Sequence, residues 1–141
     1  MSLPLAGKVA VVTGSSRSIG AAIATRLASQ GANVVINYVS NASAAQAVAD
    51  AINSQGAGKA IIVKGDVSSL SDNKQLVAET LRQFGQIDIL VLNASVLDYK
   101  TLSEVTEEDY DRFFNTNVKS ALFPVQEAAP HLRPGTCASV S

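Results

Sequence analysis

Four short runs rich in valine and isoleucine, Lys8–Val12, Asn33–Asn37, Ala60–Lys64 and Asp88–Leu92, alternate along the chain with longer segments of helical period. Runs that are apolar at nearly every position predict strands buried on both faces, the condition of a parallel sheet with helices packed on each side. The intervening segments supply those helices. Ile19, Ile23 and Leu27 recur every fourth residue ahead of Gly31, Val48 and Ile52 lead to Gly56, and Leu76, Val77, Leu81 and Phe84 lead to Gly85. A glycine after the last apolar position stops a helix because it enters the left-handed region without a side-chain clash. Strand and helix units joined by connections of a few residues predict an α/β fold, a three-layer doubly wound parallel sheet, in one domain spanning residues 1–141.

A fourth strand leads into a long helix, expected from Thr106 to Ala129. The Thr106 hydroxyl is placed to cap it, Glu107, Glu108 and Asp109 suit the positive end of its dipole, and Phe113, Phe114, Val118, Leu122 and Val125 run along it toward Pro130. At 141 residues and 47% apolar content, such a chain can bury a core without disulfide or metal support. One cysteine, Cys137, excludes an internal disulfide, and with one histidine, His131, no Cys/His metal set can form. Eleven basic against twelve acidic residues leave a net charge of −1, which provides no field for nucleic acid or an anionic membrane surface. The first eight residues are too short for a signal peptide and no run reaches membrane-spanning length, so a cytoplasmic location is expected.

Chemistry concentrates in Thr13-Gly14-Ser15-Ser16-Arg17-Ser18-Ile19-Gly20, which follows the first strand directly. Small residues between a buried strand and a helix leave backbone N–H groups and the helix dipole available to a phosphate. Gly14 permits the tight turn and Gly20 the close packing of helix on sheet. No Lys-Ser/Thr pair follows the second glycine, which excludes a P-loop.

This octapeptide resembles the TGxxxGxG cofactor loop of the short-chain dehydrogenase/reductase family. Further similarities follow in order: Gly65-Asp66-Val67 resembles the acidic turn that meets the adenine, Leu92-Asn93-Ala94-Ser95 the NNAG turn, and Asn115-Thr116-Asn117-Val118-Lys119 the helix that carries the family's active-site Asn, with Asn117 at that position. The resemblance covers residues 5–133 and implies a Rossmann-like fold binding a nicotinamide dinucleotide. It implies that Gly14, Ser15, Ser16, Arg17, Ser18, Ile19 and Gly20 surround the phosphates, that Asp66 and Val67 meet the adenine, and that Asn93 and Ala94 meet the ribose on the nicotinamide side. Asn37, ending the second strand, belongs to the same set. Departures from the family pattern are Ser18 for the middle glycine of the loop, Ser95 for the last glycine of the turn and Leu92 for its first Asn.

The cofactor expected is NADP(H) rather than NAD(H). A carboxylate ending the second strand would accept from the ribose hydroxyls of NAD and repel the 2′-phosphate of NADP; Ile36-Asn37-Tyr38-Val39-Ser40-Asn41 has none. Arg17 matches the family's basic residue before the middle glycine, where a guanidinium pairs with that phosphate.

The family moves its proton through a Tyr-x-x-x-Lys set, and none of the three tyrosines, Tyr38, Tyr99 and Tyr110, has lysine four residues on. Thr136-Cys137-Ala138-Ser139-Val140-Ser141 is short, small and weakly apolar where the family has a β-branched strand and its catalytic Ser, so neither Ser139 nor Ser141 is assigned. We therefore expect a sheet incomplete at its C-terminal side, a truncated domain, and an uncovered edge at Ile87–Leu92 that drives homo-oligomerisation there or through the long helix. Asn117 remains as the active-site residue. Two readings stay open: the NADP(H)-binding domain of an oxidoreductase whose Tyr and Lys are absent from this chain, and a non-enzymatic interaction module on the same fold.

Overall fold

The computed structural model describes residues 2–140, with side chains described as far as residue 135. Strands β1 (Val9–Val12), β2 (Asn33–Tyr38), β3 (Ala60–Lys64), β4 (Ile87–Leu92) and β5 (Leu132–Val140) form one parallel sheet in the order β3-β2-β1-β4-β5. The connecting helices are α1 (Ser18–Ser29), α2 (Ala42–Gln55), α3 (Leu70–Phe84), α4 (Glu107–Asn117) and α5 (Lys119–Ala128). From β1 the chain winds outward to β3 and then crosses to the other side of β1. This reversal opens a crevice at the carboxyl ends of β1 and β4, where successive connections depart in opposite directions.

Alternate side chains enter two cores. Val12, Val34, Ile36 and Ala60 pack with Ala24 and Ala28 of α1 and Ala45 and Ile52 of α2, whereas Val11, Val35, Val63 and Leu90 pack with Leu76 and Val77 of α3 and Ala128 of α5. Covering both faces is what makes the strands apolar at nearly every position, and each fully buried Ile or Leu contributes roughly 1.5–3 kcal/mol. Below the sheet, buried Asp88 accepts from the N–H of Val9 at 2.9 Å and from Gln86 Nε2 at 2.6 Å, while Gln86 Oε1 accepts from Arg133 Nη1 at 2.8 Å. That chain of polar contacts ties the starts of β1, β4 and β5 together.

Helix ends follow local chemistry. Asn41 and Ser69 cap α2 and α3 through the N–H groups of Ala44 and Asp72, and Gly56 and Gly85 close these helices at φ 73° and 76°. Thr106 caps α4 in a reciprocal box with Asp109. Among the described residues no helix is long and apolar enough to cross a membrane.

Two expectations are corrected. Thr106–Ala129 is not one helix, because α4 ends at Asn117, Val118 (φ −98°, ψ −51°) lies between, and α5 begins at Lys119. Asn117 and Ser120 are drawn to the backbone of the preceding loop at Val96 and Ala94, and Pro124 cannot donate to the carbonyl four residues back. The edge of β4 is not uncovered either. β5 pairs with it in parallel, Ile87 opposite Leu132 and Ile89 through Leu92 opposite Cys137 through Val140, with an irregularity between Ile87 and Ile89. Arg133-Pro134-Gly135 falls in the irregular stretch of this strand, with Gly135 at φ 84°. β5 pairs with β4 through the backbone, so the sheet's edge on this side belongs to β5. Ser141 and the side chain of Ser139 lie outside the described residues.

Candidate functional site

Thr13 leaves β1 fully buried and becomes the junction of the crevice. Its Oγ1 accepts from the N–H groups of Asn93 and Ala94, both at 3.0 Å, and donates to the Val91 carbonyl at 3.4 Å. Asn93 returns two bonds, its Nδ2 donating to the carbonyls of Thr13 and Gly14 at 3.1 Å each. The turns after β1 and β4 are thereby joined into one rigid floor. Gly14 holds φ 61° with Ala94 only 3.0 Å from where its Cβ would stand, and a Cβ on Gly20 would fall 2.5 Å from Asn93 Nδ2 and 2.6 Å from the Gly14 carbonyl. The start of α1 can lie on that floor only because residue 20 is glycine.

On the opposite flank the loop is anchored to β2. Asn37, 1% exposed, accepts at Oδ1 from the Gly14 N–H at 3.1 Å and donates from Nδ2 to the carbonyls of Val63 and Gly65 at 3.3 and 3.0 Å. Ser15, also buried, donates its hydroxyl to the Val12 carbonyl at 2.6 Å and accepts from the Asn37 N–H at 3.1 Å. Ser15 and Asn37 therefore shape the loop from beneath, with their side chains fully engaged.

Above them α1 begins at Ser18 with Arg17 in the extended N-cap position. No side chain caps this helix and its first turn holds no acid. The unpaired N–H groups of a first turn, with the positive end of the dipole, suit an anion. Arg17 is exposed, and its side chain makes no ion pair or hydrogen bond within the described residues. Ser18 stands at φ 52°, the one positive-φ residue other than glycine among those described. Ser95, the other departure in a glycine position, is not in that region and carries its side chain without strain. These features fit a dinucleotide phosphate: an uncapped helix start, a glycine cradle that a Cβ would fill, and an adjacent free cation.

Between the ends of β2 and β3 lies a cleft of about 290 Å³ lined by Val39, Lys64, Gly65, Asp66, Asp72 and Gln75. Asp66 Oδ1 accepts from the Ser68 N–H at 2.9 Å and hydroxyl at 2.6 Å, and its own N–H donates to Asp72 Oδ2 at 2.8 Å. Val67 turns its side chain inward among Val63, Leu76 and Val77. A larger cavity of about 820 Å³, bordered by Gly31, Asn33, Gly58, Lys59 and Phe84, opens at the other end of the strands, away from every residue of the loop.

The segment after β4 runs along α4 and is tied to it at alternate residues. Val96 is held by Asn117, Asp98 pairs with Arg112 at 2.9 Å, and Lys100 Nζ donates to both oxygens of Asp109 at 2.8 Å. The Lys100 ammonium, with the N–H and hydroxyl of Thr106, holds the Asp109 carboxyl far below the usual carboxylate range, and the Arg112 guanidinium lowers Asp98. Asn117, at the end of α4, thus has its amide engaged by the Val96 backbone.

Of the residues singled out from sequence, Gly14, Ser16, Arg17, Ser18, Ile19, Gly20, Asn93 and Ala94 gather at the crevice and the start of α1, Asp66 borders the neighbouring cleft, and Ser15, Asn37 and Val67 face inward. Ser120, whose hydroxyl donates to the Ala94 carbonyl at 3.2 Å, was not singled out, and Thr13 was quoted in the loop without a role of its own. Only the position of Thr13, immediately after a buried strand, hinted at its part.

The model of the short chain dehydrogenase family matches residues 8–140 of this chain. The chain belongs to that family. As a short-chain dehydrogenase sequence it is 50% identical over 131 residues to an uncharacterized oxidoreductase of Methylorubrum extorquens, covering 93% of this chain and 52% of that protein. It is 47% identical to elsinochrome reductase 1 of Elsinoe fawcettii, covering 93% and 49%. Among solved structures, a short chain dehydrogenase from Burkholderia cenocepacia in complex with NADP superposes with a TM-score of 0.91 at 40% identity, covering 96% of this chain and 55% of that one. The short-chain dehydrogenase chain described here spans about half the length of the curated relatives it matches.

Proposed function

We propose that this domain binds NADP(H) and forms the cofactor-holding part of an oxidoreductase that interconverts a carbonyl and an alcohol. The observation that carries this reading is Arg17: an unpaired guanidinium beside the uncapped start of α1, with no carboxylate at the end of β2. The Burkholderia relative in complex with NADP and the reductase from Elsinoe support it.

In this reading the N–H groups of Ser18 and Ile19 and the hydroxyls of Ser16 and Ser18 hold the pyrophosphate, and Arg17 pairs with the 2′-phosphate. Asp66 and the backbone of Val67 bound the adenine, and Asn93 and Ala94 form the floor under the second ribose. Asn37 and Ser15 act as positioning residues that set the height of the loop. The cofactor, when bound, supplies the hydride. The sequence contains no Tyr-x-x-x-Lys, so the residues present bind and orient, while no group among them is assigned as the proton donor. We further propose self-association through the exposed face of α4 and α5.

Titration of the chain with NADPH and NADH, followed by cofactor fluorescence or calorimetry, tests the reading. One charge-assisted pair of about 1.5–3 kcal/mol gives NADPH an advantage of roughly tenfold to a hundredfold. Arg17→Ala removes most of that advantage and leaves NADH unchanged; equal affinities in the parent chain would refute the NADP(H) assignment.

A further inference from the structure

β2 and β3 run in register to their carboxyl ends, where Tyr38 stands opposite Lys64 and Val39 shares a cleft with Lys64. Lys64 is exposed and has no ion pair within the described residues. The two carboxylates of the same cleft do not claim it: Asp66 accepts from Ser68, and Asp72 accepts from the Asp66 N–H and the Ser71 hydroxyl. Because β2 lies between β1 and β3, the loop that carries Arg17 leaves the strand on one side of it, and Lys64 ends the strand on the other. The residues that follow β2, Val39, Ser40 and Asn41, contain no acid. The end of β2 thus supplies no acid to either cation, and the two carboxylates beside Lys64 in its cleft are engaged by Ser68, Ser71 and the Asp66 N–H.

We propose that Lys64 is a second specificity-determining residue for a 2′-phosphorylated adenosine, meeting the phosphate from the side opposite Arg17. A phosphate monoester carries about 1.5–2 negative charges near neutral pH, so one guanidinium leaves part of that charge uncompensated. An ammonium is a point charge on a flexible stem and needs no fixed geometry to supply the rest. An unphosphorylated ribose gains nothing from Lys64, so the residue acts on discrimination and not on general affinity. The proposal rests on the NADP(H) reading and adds to it a residue outside the phosphate loop.

Adenosine 2′,5′-bisphosphate and adenosine 5′-monophosphate isolate this end of the cofactor from the nicotinamide half. Calorimetric titration of the whole chain and of Lys64→Ala, Lys64→Glu and Lys64→Arg compares the two probes. Lys64→Ala weakens the bisphosphate roughly threefold to tenfold and leaves the monophosphate unchanged, Lys64→Glu weakens it further, and Lys64→Arg retains it. The loss shrinks in raised salt, as screening of an exposed charge requires. Equal weakening of both probes by Lys64→Ala, or no change in either, overturns the proposal. If the parent chain prefers the bisphosphate, Arg17→Ala abolishes that preference and Lys64→Ala does not, Lys64 alone is dismissed. If the parent chain shows no preference, the NADP(H) reading falls and the role of Lys64 falls with it.

Discussion

Asn117 grips both polar groups of the Val96 backbone: its Oδ1 accepts from the Val96 N–H at 2.8 Å and its Nδ2 donates to the Val96 carbonyl at 3.0 Å. The contact spans 21 residues of sequence and fixes the loop after β4 against the point where α4 gives way to α5. Asn117→Ala removes both bonds at a cost of about 1–2 kcal/mol. Hydrogen exchange at the Val96 amide should accelerate, with the core strands less affected. Unchanged protection at Val96 would mean that the ion pairs of Asp98 and Lys100 hold the loop unaided.

Ser18 adopts φ 52°, where a side chain meets the following carbonyl and glycine does not. Ser18→Gly should therefore stabilise the chain by about 1 kcal/mol, raising Tm by about 4 °C. If the hydroxyl contributes to pyrophosphate binding, the same variant binds NADPH several-fold more weakly. Scanning calorimetry and cofactor titration separate the two effects, and a loss of stability would show that the strain is compensated by contacts of the Ser18 side chain.

The carboxyl of Asp109 is held ionised by Lys100 and Thr106. Its folded pKa lies below its unfolded value of about 3.9, so its contribution is fully present above that value and is lost as pH falls through the folded pKa. Asp109→Asn should lower the urea midpoint at pH 7, with the gap to the parent chain closing below about pH 4. A gap of constant size across that range would assign the effect to the cap geometry and not to charge.

Tyr110, Phe114, Val118 and Leu122 are between 50% and 59% exposed and recur every fourth residue along α4 and α5, with the rings of Tyr110 and Phe114 stacked at 4.3 Å. A stripe of this kind is a surface for association. Light scattering at micromolar concentration should give a mass above 14.6 kDa, and Phe114→Glu should reduce it toward that value. A monomeric parent chain would rule out this surface as an interface at such concentrations.

Periodicity alone was enough to place β1 through β4 and the first three helices, because a strand buried on both faces must be apolar throughout and a helix covering one face must repeat every three to four residues. Caps at Thr106, Gly56 and Gly85 were legible for the same reason: each obeys a rule confined to a few neighbouring residues. β5 was not legible. Its pairing depends on the free edge of β4, some 45 residues earlier, and on an irregularity at Arg133-Pro134-Gly135. Nor did the sequence show that Ser15 and Asn37 face inward, that Ser18 sits in a left-handed conformation, or that the helix expected across Thr106–Ala129 divides at Val118. The inward turn of Ser15 and Asn37 and the break at Val118 are decided by hydrogen bonds between distant segments, Asn37 to Ser15, Gly14 and Gly65, and Asn117 to Val96, whose partners meet only once the sheet has brought the ends of its strands together.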